Sequence, residues 1–304
     1  MSGCRVLANA LRFPEGPVAM RDGSVMVAEI AGSEVTRISA DGTATRVVRT
    51  GGAPNGMAFG PGGALFVCNN GGNEYHEGSF RARGPAKDYI GGAIQRVDIS
   101  TGEIEELYTH CGADRLTSPN DIVFDAQGGF YFTDMGKRRA RDRSYGGVYY
   151  AQADGSNISE VAYPVTGANG IGLAPDGKVL YVAETETARL SAFDIVAPGV
   201  VRKHPFPSPH GGRTLCGLPG LQYFDSLAVE AGGNVCVGTL LTGYITVVSP
   251  DGAIVRQVKV PDTNPTNICF GGADLRTAYI TLSGRGEVVA MDWPEPGLAL
   301  NYSV

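Results

Sequence analysis

The chain has 304 residues, 43% of them hydrophobic, and a formal net charge of −6 at pH 7. That size and apolar content suffice for a large core, and the acidic balance argues against nucleic acid or an anionic membrane surface as the main partner. No stretch approaches the roughly 20 apolar residues of a membrane helix, and the opening MSGCRVLANALRFPEG lacks the pattern of a secretory signal, so a cytoplasmic protein is expected.

The elements follow one phrase repeated down the chain. It first reads PEGPVAMRDGSVMVAE (14–29), then PNGMAFGPGGALFVCN (54–69) and PNDIVFDAQGGFYFTD (119–134). It returns as ANGIGLAPDGKVLYVAE (168–184), FDSLAVEAGGNVCVGT (224–239) and, more loosely, PTNICFGGADLRTAYIT (265–281). In each copy two apolar runs flank a glycine-containing turn, which is a β-hairpin signal. Further apolar runs follow most copies, such as 34–39 and 45–48 after the first and 244–249 and 254–260 after the fifth. Each unit is therefore read as a four-stranded antiparallel meander, and no useful helical periodicity appears. Six such units predict an all-β fold, a six-bladed β-propeller forming a single domain over residues 1–304 around a central, metal-bearing tunnel. A strand at residues 4–8 is expected to pair with one at 286–293 and close the ring.

Three stretches exceed the regular unit: 71–92, 135–147 and 204–220. Insertions of this kind are expected as loops on the propeller faces, where pockets are built. The six cysteines (Cys4, Cys68, Cys111, Cys216, Cys236 and Cys269) form no CxxC pair and are expected to be reduced.

A polar residue opens five of the copies in one register: Glu15, Asn55, Asn120, Asn169 and Asp225. A glycine stands eight residues after each of them. In the sixth copy the aligned residue is Thr266, with Asn267 beside it. First strands of propeller blades line the central tunnel, so these side chains are expected to meet at one mouth. Two carboxylates and several amides facing each other without a partner are costly. One divalent cation resolves that conflict. Oxygen ligands suit Ca²⁺ first and Mg²⁺ or Mn²⁺ next, with Zn²⁺ or Fe²⁺ as further options. The competing reading is that Asn and Asp merely open strands by satisfying turn backbones.

At these residues the chain resembles the senescence marker protein/gluconolactonase/luciferin-regenerating-enzyme family. The resemblance rests on FPEGPV (13–18), SPNDIVFDAQGGFYFTD (118–134), NGIGLAPDGKVLYVAET (169–185), FDSLAVEAGGNVCV (224–237) and TNICFGGADLRTAYIT (266–281). It implies a six-bladed propeller with one divalent metal at the tunnel mouth and hydrolysis of sugar lactones. Carried over residue by residue, it implies Glu15, Asn120 and Asp225 as principal metal ligands and Asn169 as a further amide ligand. Asn55 lies in the ring as a less direct contact. The family commonly has Asp-Gly where this chain has Asp225-Ser226; Ser226 then either adds a hydroxyl near the metal or starts the strand.

The resulting expectation is a lactonase whose cation polarises the lactone carbonyl while Asp225, as general base, activates water. Asp121, next to Asn120, is expected to alternate to the other side of its strand as a hydrogen-bonding support. His76, Arg81, Arg83, Lys87 and Tyr89 in the first insertion are candidates for touching substrate. His210, in the third insertion, could also contact substrate, and both it and His76 are read first as solvated loop histidines. The sequence holds no GxSxG, Walker or HExxH motif. The partner is a small lactone, and the protein a monomer or small homo-oligomer. The alternatives are organophosphate hydrolysis or strictosidine-synthase-like chemistry on the same scaffold, or a non-catalytic binding propeller.

Overall fold

A computed structural model describes residues 3–79 and 82–304. Six antiparallel sheets of four strands or more stand around one axis. Blade 1 comprises Pro14–Ala19, Val25–Glu29, Glu34–Ile38 and Ala44–Arg49. Blade 2 comprises Pro54–Phe59, Leu65–Asn69, Ala93–Val97 and Ile104–Tyr108, and blade 3 Pro119–Phe124, Gly129–Asp134, Gly146–Gln152 and Ile158–Val165. Blade 4 starts with Ala168–Leu173, Val179–Glu184 and Arg189–Ala197; its fourth strand is split into Val200–Arg202 and Arg213–Gly217, both paired with the third. Blade 5 comprises Tyr223–Val229, Val235–Leu240, Tyr244–Val248 and Ile254–Lys259. Blade 6 takes Pro265–Gly271, Thr277–Leu282 and Glu287–Asp292 from one end of the chain and Arg5–Ala8 from the other. The expected closure of the ring is thus present, with Arg5 opposite Ala290 and Val6 opposite Val289. The only helical element among the described residues is a 3₁₀ turn at Pro61–Gly63.

The reason for a ring is visible in the packing. The buried apolar side chains fall into six clusters, one at each interface between neighbouring blades. Phe66, Ile94 and Tyr108 of blade 2 meet Phe124, Phe130 and Phe132 of blade 3, for example, and Cys236, Ile245 and Val247 of blade 5 meet Ile268, Ile280 and Val289 of blade 6. Every sheet is apolar on both faces, so each needs two neighbours. Each inner strand also touches the inner strands before and after it, all the way round. The turns between first and second strands behave as expected: Gly23, Gly63, Gly128, Gly177 and Gly233 all have positive φ, between 68° and 93°.

The antiparallel order fixes which loops surround the inner-strand starts. Second strands return to that end, so the connections to third strands emerge there, as do the connections between blades. Two insertions follow this rule. Residues 70–92 carry a small hairpin, Asn73–Tyr75 with Ala82–Pro85, and residues 135–145 follow the second strand of blade 3. The third does not: residues 203–212 leave the middle of blade 4's outer strand and lie against blade 3, where Lys203 Nζ reaches the Val161 carbonyl. This corrects the expectation of a face loop. The strand resumes its pairing with Arg189–Ala197 after the excursion, which holds both ends at the sheet edge.

At the opposite end, the last residues of the chain cross from blade 6 to blade 1. Gly297 N donates to Leu275 O at 2.8 Å, Leu298 N to Val229 O at 2.8 Å and Asn301 Nδ2 to Phe124 O at 3.0 Å. Tyr302 packs edge-on against Phe124 with ring centroids 5.6 Å apart, and Arg21 N donates to Val304 O at 2.7 Å. The segment touches blades 6, 5, 3 and 1 in turn, where the inner strands end, so it ties the ring across its diameter. Deleting residues 298–304 is expected to lower the melting temperature by about 3 °C or more in calorimetry; an unchanged transition would show that the crossing segment does not hold the ring.

Candidate functional site

Every blade has the same irregularity at the start of its inner hairpin. The register slips between Glu15 and Val18, Pro54 and Met57, Pro119 and Ile122, Ala168 and Ile171, Phe224 and Leu227, and Pro265 and Asn267. At each place the inner strand carries one more residue than its partner, which is a β-bulge. A bulge breaks the alternation of side chains, so adjacent residues can project among the inner strands. Asp121 is the clearest case and departs from expectation. Its carboxylate accepts from Ile122 N at 3.0 Å and from Ile171 N, across in blade 4, at 3.4 Å. A Cβ on Gly56 of blade 2 would lie 2.4 Å from Asp121 Oδ1. Asp121 is therefore a third carboxylate wedged between inner strands and, as expected, a hydrogen-bonded one. The crowding explains the glycines at the same position in blades 1, 2 and 4, Gly16, Gly56 and Gly170. Gly16, at φ 53°, would place a Cβ 2.3 Å from the Asn55 carbonyl.

The five opening residues occupy the starts of blades 1 to 5. Glu15, Asn55, Asn120 and Asn169 are buried, whereas Asp225 is partly open to solvent. The Oδ1 atoms of Asn55 and Asn120 are buried and have no hydrogen-bond partner among the described residues. The Asn120 amide makes only a 3.9 Å contact with Met135 Sδ. Asn169 is better satisfied, donating from Nδ2 to Thr185 Oγ1 at 3.0 Å and accepting from Ser226 Oγ at 3.1 Å. Ser226 is fully buried beneath it. The sixth blade differs. Thr266 turns its hydroxyl to Pro14 O, at 3.2 Å, and Thr281, at 2.9 Å. Its neighbour Asn267 reaches inward, donating from Nδ2 to Glu15 Oε2 at 2.8 Å. Asn267 is itself fixed by Ile268 N, which donates to its Oδ1 at 2.7 Å. Gly16 N also donates to Glu15 Oε2, so both donors lie on one oxygen of the carboxylate.

The acids are under electrostatic stress. Burial raises the proton affinity of Glu15 well above the usual carboxylate range, and the charges of Asp225 and Asp121 raise it further. Burial, with the Asp121 charge, pushes Asp225 up to about 8 despite hydrogen bonds from Asn169 and the Ser226 backbone. Asp121 is pushed to about 7 by burial alone, against its hydrogen bonds. Three carboxylates and two orphaned amide oxygens on one axis form a donor set of hard oxygens that fits a divalent cation. Among the described residues no three His, Cys, Asp or Glu side chains are grouped as a metal site.

A second polar ring, one strand outward, was not anticipated. Glu29, Asn69, Asp134 and Glu184 end the second strands and are buried. Glu29 accepts from Arg12 N at 2.7 Å, Asn69 from Ala53 N at 2.9 Å, and Asp134 from Thr117 N at 2.6 Å and Ser118 N at 2.8 Å. In blades 1 to 3 the ring thus pins the backbone just before each opening residue. The signal was in the sequence, since these residues close the repeated phrase. Glu184 instead takes His210 Nε2 at 3.2 Å, while Gly212 N donates to His210 Nδ1 at 3.1 Å. His210 packs at a tilt against Phe193, 5.2 Å between centroids. It is buried, not a solvated loop residue.

The expected substrate contacts of the first insertion are dispersed. Tyr89 donates its hydroxyl to Thr117 O at 2.7 Å and places its ring 4.7 Å from Lys137 Nζ. His76 is exposed, and Arg83 pairs with Glu74 at 3.0 Å. Arg81 lies outside the described residues. No helix among the described residues is long and apolar enough to cross a membrane.

Residues 13–284 match the family described as SMP-30/Gluconolactonase/LRE-like region. The chain is 29% identical to lactonase drp35 of Staphylococcus haemolyticus over 81% of this chain and 69% of that protein. A gluconolactonase structure from Xanthomonas campestris superimposes with a TM-score of 0.75, at 24% identity over 96% of this chain and 89% of that one. The calcium-binding regucalcin of Agrobacterium tumefaciens gives 0.74, at 17% identity over 98% of each. These last two likenesses establish the fold.

The raised acids give a testable pH dependence. Each binds its proton more tightly folded than unfolded, so in the absence of divalent cations the stability contributed by these three acids is greatest in acid. It falls as pH rises from about 4 through about 8. Melting curves recorded in chelator should show a decline over that range that is shallower in Asp225→Asn than in the native protein. Parallel slopes would mean that Asp225 does not carry the stress.

Proposed function

Because the chain belongs to the SMP-30/Gluconolactonase/LRE-like family, we propose that it is a divalent-metal-dependent lactonase acting on a sugar lactone or related small lactone. The observation that carries the reading is the mutual repulsion of Glu15 and Asp225 in a ring that also holds the Asn55 and Asn120 amide oxygens, which have no partner among the described residues. Glu15, Asn120, Asn169 and Asp225 would hold the cation, with Asn55 and Asp121 adjoining, and Ca²⁺ suits the all-oxygen set best. When bound, the cation supplies a Lewis acid for the lactone carbonyl and for the oxyanion that follows. The lactonase name of the staphylococcal relatives supports the same reaction.

The chain's own residues then divide the remaining work. Asp225 is the least buried of the three acids. It accepts the proton of the attacking water at a carboxylate oxygen, and Asn169 orients it through a hydrogen bond. Glu15 is held by Gly16 N and Asn267, which both donate to Oε2 and leave Oε1 clear of these two donors. Asn267 is thus a positioning residue, supplied by the blade that contributes no opening acid or amide in register. Ser226 supports Asn169 from below.

Chelation is expected to abolish hydrolysis of aldonolactones, and added Ca²⁺ to restore it. Glu15→Gln and Asp225→Asn should each lower turnover by about a hundredfold or more and weaken metal binding in calorimetric titration. Full turnover in chelator would overturn the reading. For Asn267→Ala, a roughly tenfold weaker affinity for Ca²⁺ is expected, the range in which ligand-orienting partners act. An unchanged affinity would remove Asn267 from the site.

A further inference from the structure

The acidic net charge hides a local reversal. Residues 137–143 read KRRARDR, five basic side chains and one acidic in a protein of net charge −6. This stretch is the insertion of blade 3, at the end where the inner strands open. It starts beside the candidate site, since Met135 Sδ lies 3.9 Å from Asn120 Nδ2. It is also a built element. Ser144 N donates to Lys137 O at 3.0 Å and Arg139 N to Asp142 O at 2.8 Å, closing a short hairpin. Gly136 N donates to Asp134 Oδ1 at 2.9 Å, anchoring its base to the outer polar ring.

Three of the cations hold the hairpin in place. Lys137 is buried and donates to Asn70 O of blade 2 at 2.9 Å. Arg143 pairs with Glu186 of blade 4 at 2.9 Å, and Arg139 folds back on Asp142 at 2.8 Å. The hairpin therefore bridges the loops of blades 2 and 4 along the rim. Arg138 and Arg141 remain exposed, with no ion pair or hydrogen bond among the described residues. The hairpin backbone that carries these two guanidinium groups is fixed, and it lies at the same end of the ring as Glu15, Asp121 and Asp225. Those acids would repel an anionic substrate, and a rim of opposite sign offsets that repulsion and steers anions inward.

We propose that this hairpin recognises an anionic substituent, a carboxylate or a phosphate ester, on the lactone, with Arg138 and Arg141 as the specificity-determining residues. The inference rests on the lactonase reading and adds the substrate class to it. Arginine suits the task because its planar fork binds carboxylate and phosphate oxygens in pairs.

The test compares kcat/KM for glucaro-1,4-lactone, which carries a carboxylate, and 6-phosphoglucono-δ-lactone with that for neutral glucono-δ-lactone. The calcium-loaded native protein and the Arg138→Gln/Arg141→Gln variant are assayed at low and high salt. The native protein is expected to prefer one or both anionic lactones by roughly tenfold at low salt, mainly through KM, and which one identifies the substituent. In the variant, and at high salt, the ratio should fall toward unity. A ratio near unity in the native protein, or one untouched by the double substitution, overturns the proposal. Calorimetric binding of dianionic glucarate against monoanionic gluconate judges it without turnover. Tighter glucarate binding that the variant loses supports it even where no lactone is hydrolysed, an outcome that would sink the lactonase reading alone. Equal binding of the two overturns it. Binding of a DNA duplex that the variant loses, with lactone discrimination unchanged, would reassign the hairpin to a polyanion and also overturn it.

Discussion

No blade of this protein can exist alone, because each sheet is apolar on both faces. The six clusters between blades are buried only when every sheet has a neighbour on each side. Closure follows, and Arg5–Ala8 completes the last blade so that no gap remains. Once the ring is closed, six inner strands must start around a common axis at a separation set by side-chain packing. The chemistry of those six starts is then no longer a local matter. Whatever the chain places there is pressed together.

What it places there is acidic and amidic. In an isolated hairpin, Glu15, Asp121 and Asp225 would be ordinary solvated carboxylates. In the ring they are desolvated together, and each holds its proton more firmly as a result. The ring bears this stress because it is fixed from outside. Glu29, Asn69 and Asp134 clamp the backbone that leads into the first three openings, and Asn267 and Ser226 clamp Glu15 and Asn169 directly. Membership of the SMP-30/Gluconolactonase/LRE-like family joins this arrangement to lactone chemistry, while the loops above it carry the features particular to this chain.

Those loops show how one fold accommodates different rims. The blade 2 insertion is held by Tyr89, which gives its hydroxyl to Thr117 and its ring to Lys137. The blade 3 hairpin is held by Lys137 and Arg143, which leaves other cations free of structural duty. The blade 4 excursion is locked to its own sheet by the buried His210–Glu184 pair. Residues that look alike in sequence, as charged or aromatic members of polar loops, thus divide between holding a loop and facing solvent.

Much of the fold was legible without coordinates. The recurring hairpin phrase, the glycine eight residues after each opening and the apolar runs flanking it specify four-stranded units, since local turn chemistry and period-2 burial are written in adjacent residues. The aligned positions of Glu15, Asn55, Asn120, Asn169 and Asp225 were equally plain, because a repeat places equivalent residues in equivalent places. Three matters were decided only in three dimensions. Asp121 joined the axis because a bulge broke the strand alternation, and a bulge depends on pairing between strands. Asn267 rather than Thr266 served the sixth blade because its reach is measured against Glu15, 252 residues away in the chain. His210 was buried because an excursion folded back on Glu184, a contact that no local pattern encodes. The sequence determines what each blade is. Closing the ring determines which side chains meet, since that depends on distances across the axis rather than along the chain.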